Sequence, residues 1–228
     1  MKKLLIASTS TIHGSSYLEY LLPTLANFFK DIELITFIPY ARPSGISYDD
    51  YTEIAKKAFE KIGKKVIGIH ELKNPKKAII ETEAIFTGGG NTFELVNQLY
   101  KNDLLDDLKL ILNNGIPYLG TSAGSNICGV TMMNTNDMPI VYPPSFDTLE
   151  MIPFNINAHY LDVDDNSKHM GESRETRIKE FHVFNETPVL GLREGSWLEV
   201  SDDKIVLKGE LKARFFQQNK KPVELESG

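Results

Sequence analysis

Residues 116–124 read Ile-Pro-Tyr-Leu-Gly-Thr-Ser-Ala-Gly and place the pattern Gly-x-Ser-x-Gly between a predicted strand and a predicted helix. The run Ile116–Leu119 predicts a buried strand, and Ser125–Val130 is compatible with a helix. In this context the turn is so tight that its flanking positions need glycine, and the Ser122 hydroxyl is lifted above the sheet. The alternative interpretation is a helix N-cap serine in a glycine-rich turn, which is common.

The chain around this turn alternates short apolar runs with amphipathic stretches. Apolar runs predict buried strands, and apolar side chains at helical spacing predict helices. The predicted strands are Leu4–Ala7, Leu34–Ile38, Val66–Ile69, Ala84–Thr87 and Pro117–Gly120, and the predicted helices are Ser16–Lys30, Tyr51–Ile62, Asn91–Tyr100 and Leu104–Leu112. This rhythm predicts an α/β fold in three layers, in which a mostly parallel, doubly wound sheet carries helices on both faces.

The rhythm breaks after residue 130. Four prolines in Thr131–Phe154 predict a long loop with one short strand at most. The predictions beyond it are strands Asn155–Ala158 and Val189–Leu192, a helix Gly171–Phe184, an antiparallel hairpin in Trp197–Phe216 and a polar, frayed tail Asn219–Gly228. The sequence contains neither an internal repeat nor a low-complexity linker, so we expect residues 1–228 to form one domain.

The composition excludes several classes of protein. The 228 residues are 41% hydrophobic and 25% charged, which is typical of a soluble globular protein. A net charge of −6 without a long basic run argues against binding of nucleic acid or anionic membranes. The single cysteine, Cys128, excludes an intrachain disulfide and fits a cytoplasmic location. No His, Asp or Glu spacing is typical of metal ligands, so we predict neither a metal nor a cofactor.

A second glycine-rich turn, Gly88-Gly89-Gly90, follows the strand Ala84–Thr87. Glycines let backbone amides approach a ligand closely. The lysine of a phosphate-binding loop is absent, as is the spacing of a dinucleotide fingerprint, so half of an oxyanion hole is the better functional interpretation. We predict that this hole uses the N–H groups of Gly90 and of Ala123. A purely structural turn that needs positive φ is the alternative.

A serine nucleophile needs a base, and the base needs an orienting acid. His159 follows Asn155–Ala158 and is expected at the carboxyl edge of the sheet, where Ser122 also lies. His13 follows the first strand at the same edge, so its position alone does not exclude it. The other histidines are His70, His169 and His182. Glu194, just after Val189–Leu192, is the candidate acid, and Asp137 is its competitor.

Seven blocks of this sequence, in order along the chain, resemble the peptidase E family, also called α-aspartyl dipeptidases. They are Leu4–Ser10, Thr87–Phe93, Gly120–Asn126, Thr135–Val141, Asn155–His159, Gly171–Arg177 and Gly191–Trp197. The resemblance implies a serine peptidase on a fold like that of class I glutamine amidotransferases. It also implies Ser122 as nucleophile, His159 as base, and either Glu194 or Asp137 as the third member.

Two further features qualify this resemblance. The order Ser…His…Glu differs from the Ser…Asp/Glu…His of α/β-hydrolases, which argues against that family despite the shared serine turn. The sequence also departs from the family pattern at Thr121, Ser125 and Arg193. None of these residues belongs to the implied triad, but Thr121 and Arg193 are positions that could alter the substrate pocket.

The implied activity is hydrolysis of the peptide bond after an N-terminal aspartate. A substrate aspartate needs a cationic partner, and Arg174 and Arg177 share one face of a predicted helix within a family-like block. A solvated helix with weak ion pairs to nearby glutamates would look the same. The alternative functions are a cyanophycinase-like or isoaspartyl hydrolase on the same fold, and a non-catalytic module that binds small molecules. We expect a small peptide as substrate and a monomer or homodimer.

Overall fold

The computed structural model describes residues 1–163 and 171–228. Its strands are β1 (Lys3–Ala7), β2 (Leu34–Ile38), β3 (Lys65–Gly68), β4 (Ile85–Thr87), β5 (Tyr118–Thr121), β6 (Asn155–Ala158), β7 (Val189–Leu192), β8 (Trp197–Ser201), β9 (Lys204–Lys208), β10 (Ala213–Phe216) and β11 (Val223–Leu225). Its α-helices are α1 (Leu22–Phe28), α2 (Tyr48–Glu60), α3 (Pro75–Ile80), α4 (Thr92–Lys101), α5 (Leu105–Asn113), α6 (Ala123–Asn126) and α7 (Arg174–Phe184).

The central sheet has seven strands in the order β3-β2-β4-β5-β1-β8-β9. The first five are parallel, and the hairpin β8–β9 adds two antiparallel strands beside β1. Successive side chains of β1 face opposite sides, since Leu4 and Ile6 belong to one core and Leu5 and Ala7 to the other. The first core includes α4 and α5, and the second includes α1 and α2. The predicted three-layer α/β fold is therefore confirmed.

Two predicted helices differ most from the observed ones. The segment predicted as one helix, Ser16–Lys30, forms a 3₁₀ turn followed by α1, because Leu18 has a φ of 58° and Pro23 occupies the first turn of α1. The helix predicted at Ser125–Val130 is instead α6, which begins at Ala123, directly after Ser122. None of the described helices combines the length and the apolar character that a membrane crossing requires.

The largest difference from the sequence-based expectation is a second sheet, with strand order β11-β10-β7-β6. β6 and β7 are parallel and belong to this sheet rather than to the central one. The predicted hairpin Trp197–Phe216 is also too long, because only β8 and β9 form it. The chain then turns at Gly209, whose φ is 102°, and β10 pairs with β7 instead.

The tail Asn219–Gly228 was predicted to be frayed, and the structure instead places β11 within it. β11 pairs antiparallel with β10, and the Gly228 N–H donates to the Leu207 carbonyl at 3.0 Å. β11 is only three residues long and fully exposed, so its two apolar residues are too few to predict a strand within the polar tail. Backbone pairing and the ion pairs of Glu224 hold it in place.

Candidate active site

Ser122 occupies a tight turn between β5 and α6. Its φ of 53° and ψ of −111° lie outside the favourable regions for a residue with a side chain. A Cβ on Gly124 would lie 2.2 Å from the Thr87 carbonyl oxygen, and one on Gly120 would lie 2.5 Å from the Gly124 carbonyl oxygen. The backbone therefore passes too closely for any other residue at either glycine, which is the physical reason for the Gly-x-Ser-x-Gly pattern.

The carbonyl of Ala7, at the end of β1, holds this turn in place. It accepts hydrogen bonds from the Ser122 N–H at 3.2 Å and from the Ser125 hydroxyl at 2.6 Å. Ser125, one of the departures from the family pattern, is therefore a buried support of the turn. Thr121, the second departure, is buried, and its hydroxyl has no hydrogen-bond partner among the described residues.

The structure brings Ser122, His159 and Glu194 into one chain of hydrogen bonds. The His159 Nε2 atom lies 2.8 Å from the Ser122 Oγ, and its Nδ1 lies 2.6 Å from the Glu194 Oε1. The imidazole and the carboxylate are both partly exposed, at 38% and 47% of their side-chain areas. This is the geometry in which a histidine accepts a proton from serine while a carboxylate fixes its tautomer.

The second sheet explains how residues 35 positions apart meet. His159 follows the last residue of β6 and Glu194 lies two residues after β7, and Ala158 pairs with Leu192 in the parallel register. Ser8 connects this sheet to the central one. Its hydroxyl accepts from the His159 N–H at 2.9 Å and donates to the Leu192 carbonyl at 2.7 Å. His159 therefore reaches Ser122 from a separate sheet, not from the central-sheet edge that the sequence predicted.

Asp137, the competing acid, lies elsewhere. Its Oδ2 accepts from the Thr92 N–H at 2.7 Å, from the Thr92 hydroxyl at 2.5 Å and from the Thr135 hydroxyl at 3.0 Å. These contacts satisfy the first N–H group of α4 and place a carboxylate at its positive end. In this structure Asp137 therefore supports α4 and makes no hydrogen bond to His159.

The other histidines have different surroundings. His70 Nε2 lies 2.9 Å from Asp49 Oδ1, and His182 Nδ1 lies 3.0 Å from the Asn185 carbonyl oxygen. His13 is exposed and makes no hydrogen bond to Ser122. His169 lies outside the described residues. His159 is thus the one described histidine in contact with Ser122.

The glycine turn lies directly against Ser122. A Cβ on Gly89 would lie 2.8 Å from the Ser122 Cβ. The Gly89 N–H already donates to the buried Tyr51 hydroxyl at 2.9 Å. The N–H groups of Gly90 and Ala123, by contrast, donate to no acceptor within residues 1–163 and 171–228. Two unpaired donors beside a serine are what an oxyanion hole requires.

Arg174 and Arg177 lie in the first two turns of α7. Burial lowers the pKa of Arg174, and the neighbouring Arg177 lowers it further, whereas the Asp137 carboxylate acts in the opposite direction. The adjacent Glu175 pairs instead with Lys179 and Arg214. No carboxylate of the described residues forms an ion pair with Arg174 or Arg177. The weak ion pairs of the alternative interpretation are therefore not observed at these two arginines.

Arg193, the third departure from the family pattern, precedes Glu194 in the chain. Its guanidinium contacts the carboxylates of Asp162 at 2.7 Å and of Glu224 at 2.8 Å and lies 5.6 Å from the Tyr160 ring centroid. These ion pairs lower the pKa values of both Asp162 and Glu224. Arg193 therefore connects the Glu194 loop to β11 and to the segment after His159.

Sequence reasoning missed two supporting residues, Tyr51 and Ser8. Tyr51 lies in α2, where its spacing marks it only as a core residue, and its hydroxyl also donates to the Gly89 carbonyl at 3.2 Å. Ser8 lies inside a family-like block, and that block was the only available signal. Among the described residues, no group of three or more His, Cys, Asp or Glu side chains is arranged to hold a metal ion.

A strained serine on a strand–helix turn, in contact with a histidine and a carboxylate, defines the class of serine hydrolases. Residues 4–208 match the family model described as Peptidase family S51. The chain therefore belongs to peptidase family S51 and is a serine-type peptidase. The family predicted from the seven blocks is confirmed.

Relatives match along nearly the whole chain. A protein of Streptomyces coelicolor named peptidase E is 46% identical over 99% of this chain and 91% of its own length. A Drosophila melanogaster protein named probable alpha-aspartyl dipeptidase is 42% identical, covering 95% of this chain and 90% of its own. The crystal structure of a peptidase from an acI-B1 Actinobacterium matches with a TM-score of 0.74 at 15% identity, covering 100% of this chain and 95% of its own. At this level of sequence identity, the structural similarity shows a shared fold alone.

Proposed function

We propose that the protein is a serine dipeptidase that hydrolyses the peptide bond after an N-terminal aspartate, through an acyl-enzyme at Ser122. The observation that carries this proposal is the hydrogen-bond chain from Ser122 through His159 to Glu194. The names of the relatives, peptidase E and alpha-aspartyl dipeptidase, supply the substrate class.

The geometry suggests a role for each group. His159 Nε2 takes the Ser122 proton as the oxygen attacks the scissile carbonyl, and returns it to the leaving amine. The N–H groups of Gly90 and Ala123 stabilise the oxyanion of the tetrahedral intermediate. A water molecule, activated by the same imidazole, then hydrolyses the acyl-enzyme. Glu194 keeps Nδ1 protonated and stabilises the imidazolium.

The substrate aspartate requires a cation, and Arg174 is our candidate, with Arg177 beside it. Arg174 is partly buried and has no ion-pair partner among the described residues, although Asp137 lies close enough to affect its pKa. A guanidinium binds a carboxylate through two parallel hydrogen bonds. Binding of the substrate side chain would therefore supply the partner that Arg174 lacks.

Two measurements test this function. A fluorophosphonate probe should label the wild-type protein and leave Ser122→Ala unlabelled, and labelling of both proteins alike would remove Ser122 from the nucleophile's role. Asp-Leu should be cleaved much faster than β-Asp-Leu. The opposite preference would favour the isoaspartyl or cyanophycinase-like alternative, and absence of both labelling and hydrolysis would favour a non-catalytic module.

The cytoplasmic location and the expected monomer or homodimer stay predictions. The single Cys128 is buried, which is compatible with a reducing compartment. Cell fractionation tests the location, and sedimentation analysis tests the oligomeric state.

A further inference from the structure

Arg42 lies four residues after β2, at the carboxyl edge of the sheet that also carries Ser122. Its Nε atom is buried and has no hydrogen-bond partner among the described residues. Within the same part of the chain no carboxylate forms an ion pair with it. The residue as a whole is half-buried, but a buried N–H group without an acceptor is rare in proteins, so the Nε atom calls for an explanation.

The backbone beside Arg42 presses against the glycine turn. The Ala41 carbonyl accepts a hydrogen bond from the Asn91 N–H at 2.8 Å, and a Cβ on Gly90 would lie 2.2 Å from that same oxygen. The guanidinium lies 4.8 Å from the centroid of the Tyr51 ring, whose hydroxyl binds the Gly89 N–H. Arg42 is therefore anchored to the turn that lies against Ser122.

Arg42 also lines an open cavity of about 420 Å³ together with Ser47, Tyr48, Glu94 and Val141. This volume accommodates one amino-acid residue. Glu94 is the carboxylate in the lining of this cavity, and its two oxygens accept from the side-chain amides of Asn97 at 3.1 Å and Gln98 at 2.7 Å. Glu94 is thus satisfied by neutral donors and leaves the charge of Arg42 available.

We propose that Arg42 binds the free C-terminal carboxylate of the substrate's second residue and so selects dipeptides over longer or amidated peptides. This inference rests on the proposed function, in which the substrate carries two carboxylates and Arg174 takes the one on the aspartate side chain. In a dipeptide the terminal carboxylate lies within about 5 Å of the scissile carbonyl carbon, by standard backbone dimensions. The group that binds this carboxylate must therefore lie close to Ser122, and Arg42 is anchored to the glycine turn that lies against Ser122.

The test compares hydrolysis of Asp-Leu with hydrolysis of Asp-Leu amide, which lacks only the terminal carboxylate. We expect the wild type to prefer Asp-Leu in kcat/KM by about 10–100-fold, the range of a charged hydrogen bond. Arg42→Met should lower cleavage of Asp-Leu by that factor and leave cleavage of the amide unchanged. Unchanged cleavage of the amide also shows that the variant is folded.

Three further variants complete the design. Arg42→Lys, which keeps the charge but loses the bidentate geometry, should recover part of the preference. Lys101→Met removes one positive charge at the far end of α4 and should keep the full preference. Lys57→Met, which removes an exposed positive charge of α2, should keep it as well.

Four results overturn the inference. If Arg42→Met lowers kcat/KM equally on both substrates, Arg42 acts by positioning Tyr51. If it lowers kcat/KM on neither substrate, Arg42 takes no part in substrate binding. Equal cleavage of both substrates by the wild type would show that the terminal carboxylate is not recognised, while the dipeptidase function stands. If the wild type cleaves neither substrate, the proposed function itself fails, and this inference fails with it.

Discussion

Ser122 and His159, whose side chains are joined by a 2.8 Å hydrogen bond, both have positive φ angles, of 53° and 54°. Such conformations cost about 1–3 kcal/mol each and persist only where the surroundings enforce them. Here the Ala7 carbonyl holds the Ser122 N–H, and the Ser8 hydroxyl holds the His159 N–H. Ala7, the last residue of β1, and Ser8, which follows it, thus hold the backbones of both residues in place.

Two replacements of Ser122 should be equally inactive but differ in stability. Ser122→Ala and Ser122→Gly should both lose on the order of 10⁶-fold in turnover, because each lacks the hydroxyl. Glycine adopts the observed φ and ψ without strain, so Ser122→Gly should be more stable than Ser122→Ala by about 1 kcal/mol. Peptide hydrolysis and urea denaturation measure the two effects. Activity above a few per cent in either variant would contradict the assignment of the nucleophile.

The acid is tested by a pair of isosteric changes. Glu194→Gln should lower turnover by about 10⁴-fold, because the imidazole loses the partner that fixes its tautomer. Asp137→Asn should keep turnover within about tenfold and lose about 1 kcal/mol of stability, since it weakens the contacts at the start of α4. Measurements of kcat and of thermal unfolding distinguish the two. A larger loss of turnover in Asp137→Asn would assign the acid to Asp137.

Gly90 has a matched control in Gly45, since both have positive φ but only Gly90 has backbone within 4 Å of an added Cβ. Gly45→Ala should cost about 1–2 kcal/mol, the penalty of a left-handed backbone. Gly90→Ala should cost more, and should also lower turnover by about 10²–10³-fold as the N–H moves away from the oxyanion. Urea denaturation and steady-state kinetics check both variants. Wild-type turnover in Gly90→Ala would leave the turn with a structural role alone.

Arg174→Met tests recognition of the aspartate side chain. Cleavage of Asp-Leu should fall by about 10–100-fold, the range of a charged hydrogen bond, while cleavage of Asn-Leu should change little. The matched variant Arg177→Met shows which of the two arginines carries the effect. If cleavage of both substrates falls equally, or if neither changes, Arg174 does not recognise the aspartate side chain and is an ordinary solvated residue of α7.

Arg193→Met tests the ion pairs that hold β11 beside the Glu194 loop. Arg193 lowers the pKa values of Asp162 and Glu224 in the folded protein, so the stabilisation is complete above the ordinary carboxyl pKa of about 4. It is lost as the pH falls through the lowered values. The variant should be less stable than the wild type by about 1 kcal/mol at pH 7, because the carboxylates are partly exposed.

The control for this prediction is the pH dependence itself. Urea denaturation at pH 7 and at pH 3 should give a stability difference between the two proteins that narrows in acid. A difference that stays constant over this range would show that Arg193 acts through packing on Tyr160 rather than through its charge.

The apolar periodicity was enough to predict β1 to β5 and the helices between them, except α3, which lies between β3 and β4 and was not predicted. Parallel strands buried on both faces are continuous apolar runs, and their order along the chain limits the topology. The Gly-x-Ser-x-Gly pattern likewise identified the turn that carries Ser122. The Thr87 carbonyl leaves room only for glycine at position 124, and the Gly124 carbonyl does the same at position 120. These features depend on local chemistry, so the sequence by itself determined them.

The second sheet and the partners of Arg193 depended on contacts between distant segments. β11 is exposed and only three residues long, and it is a strand because β10 pairs with its backbone and Arg193 and Arg214 attract Glu224. The meeting of His159 with Glu194 depends on the register of β6 with β7, which no local pattern encodes. The sequence therefore determined which residues are fit for the chemistry. The tertiary structure alone decided which of them meet, because that depends on backbone pairing between strands far apart in the chain.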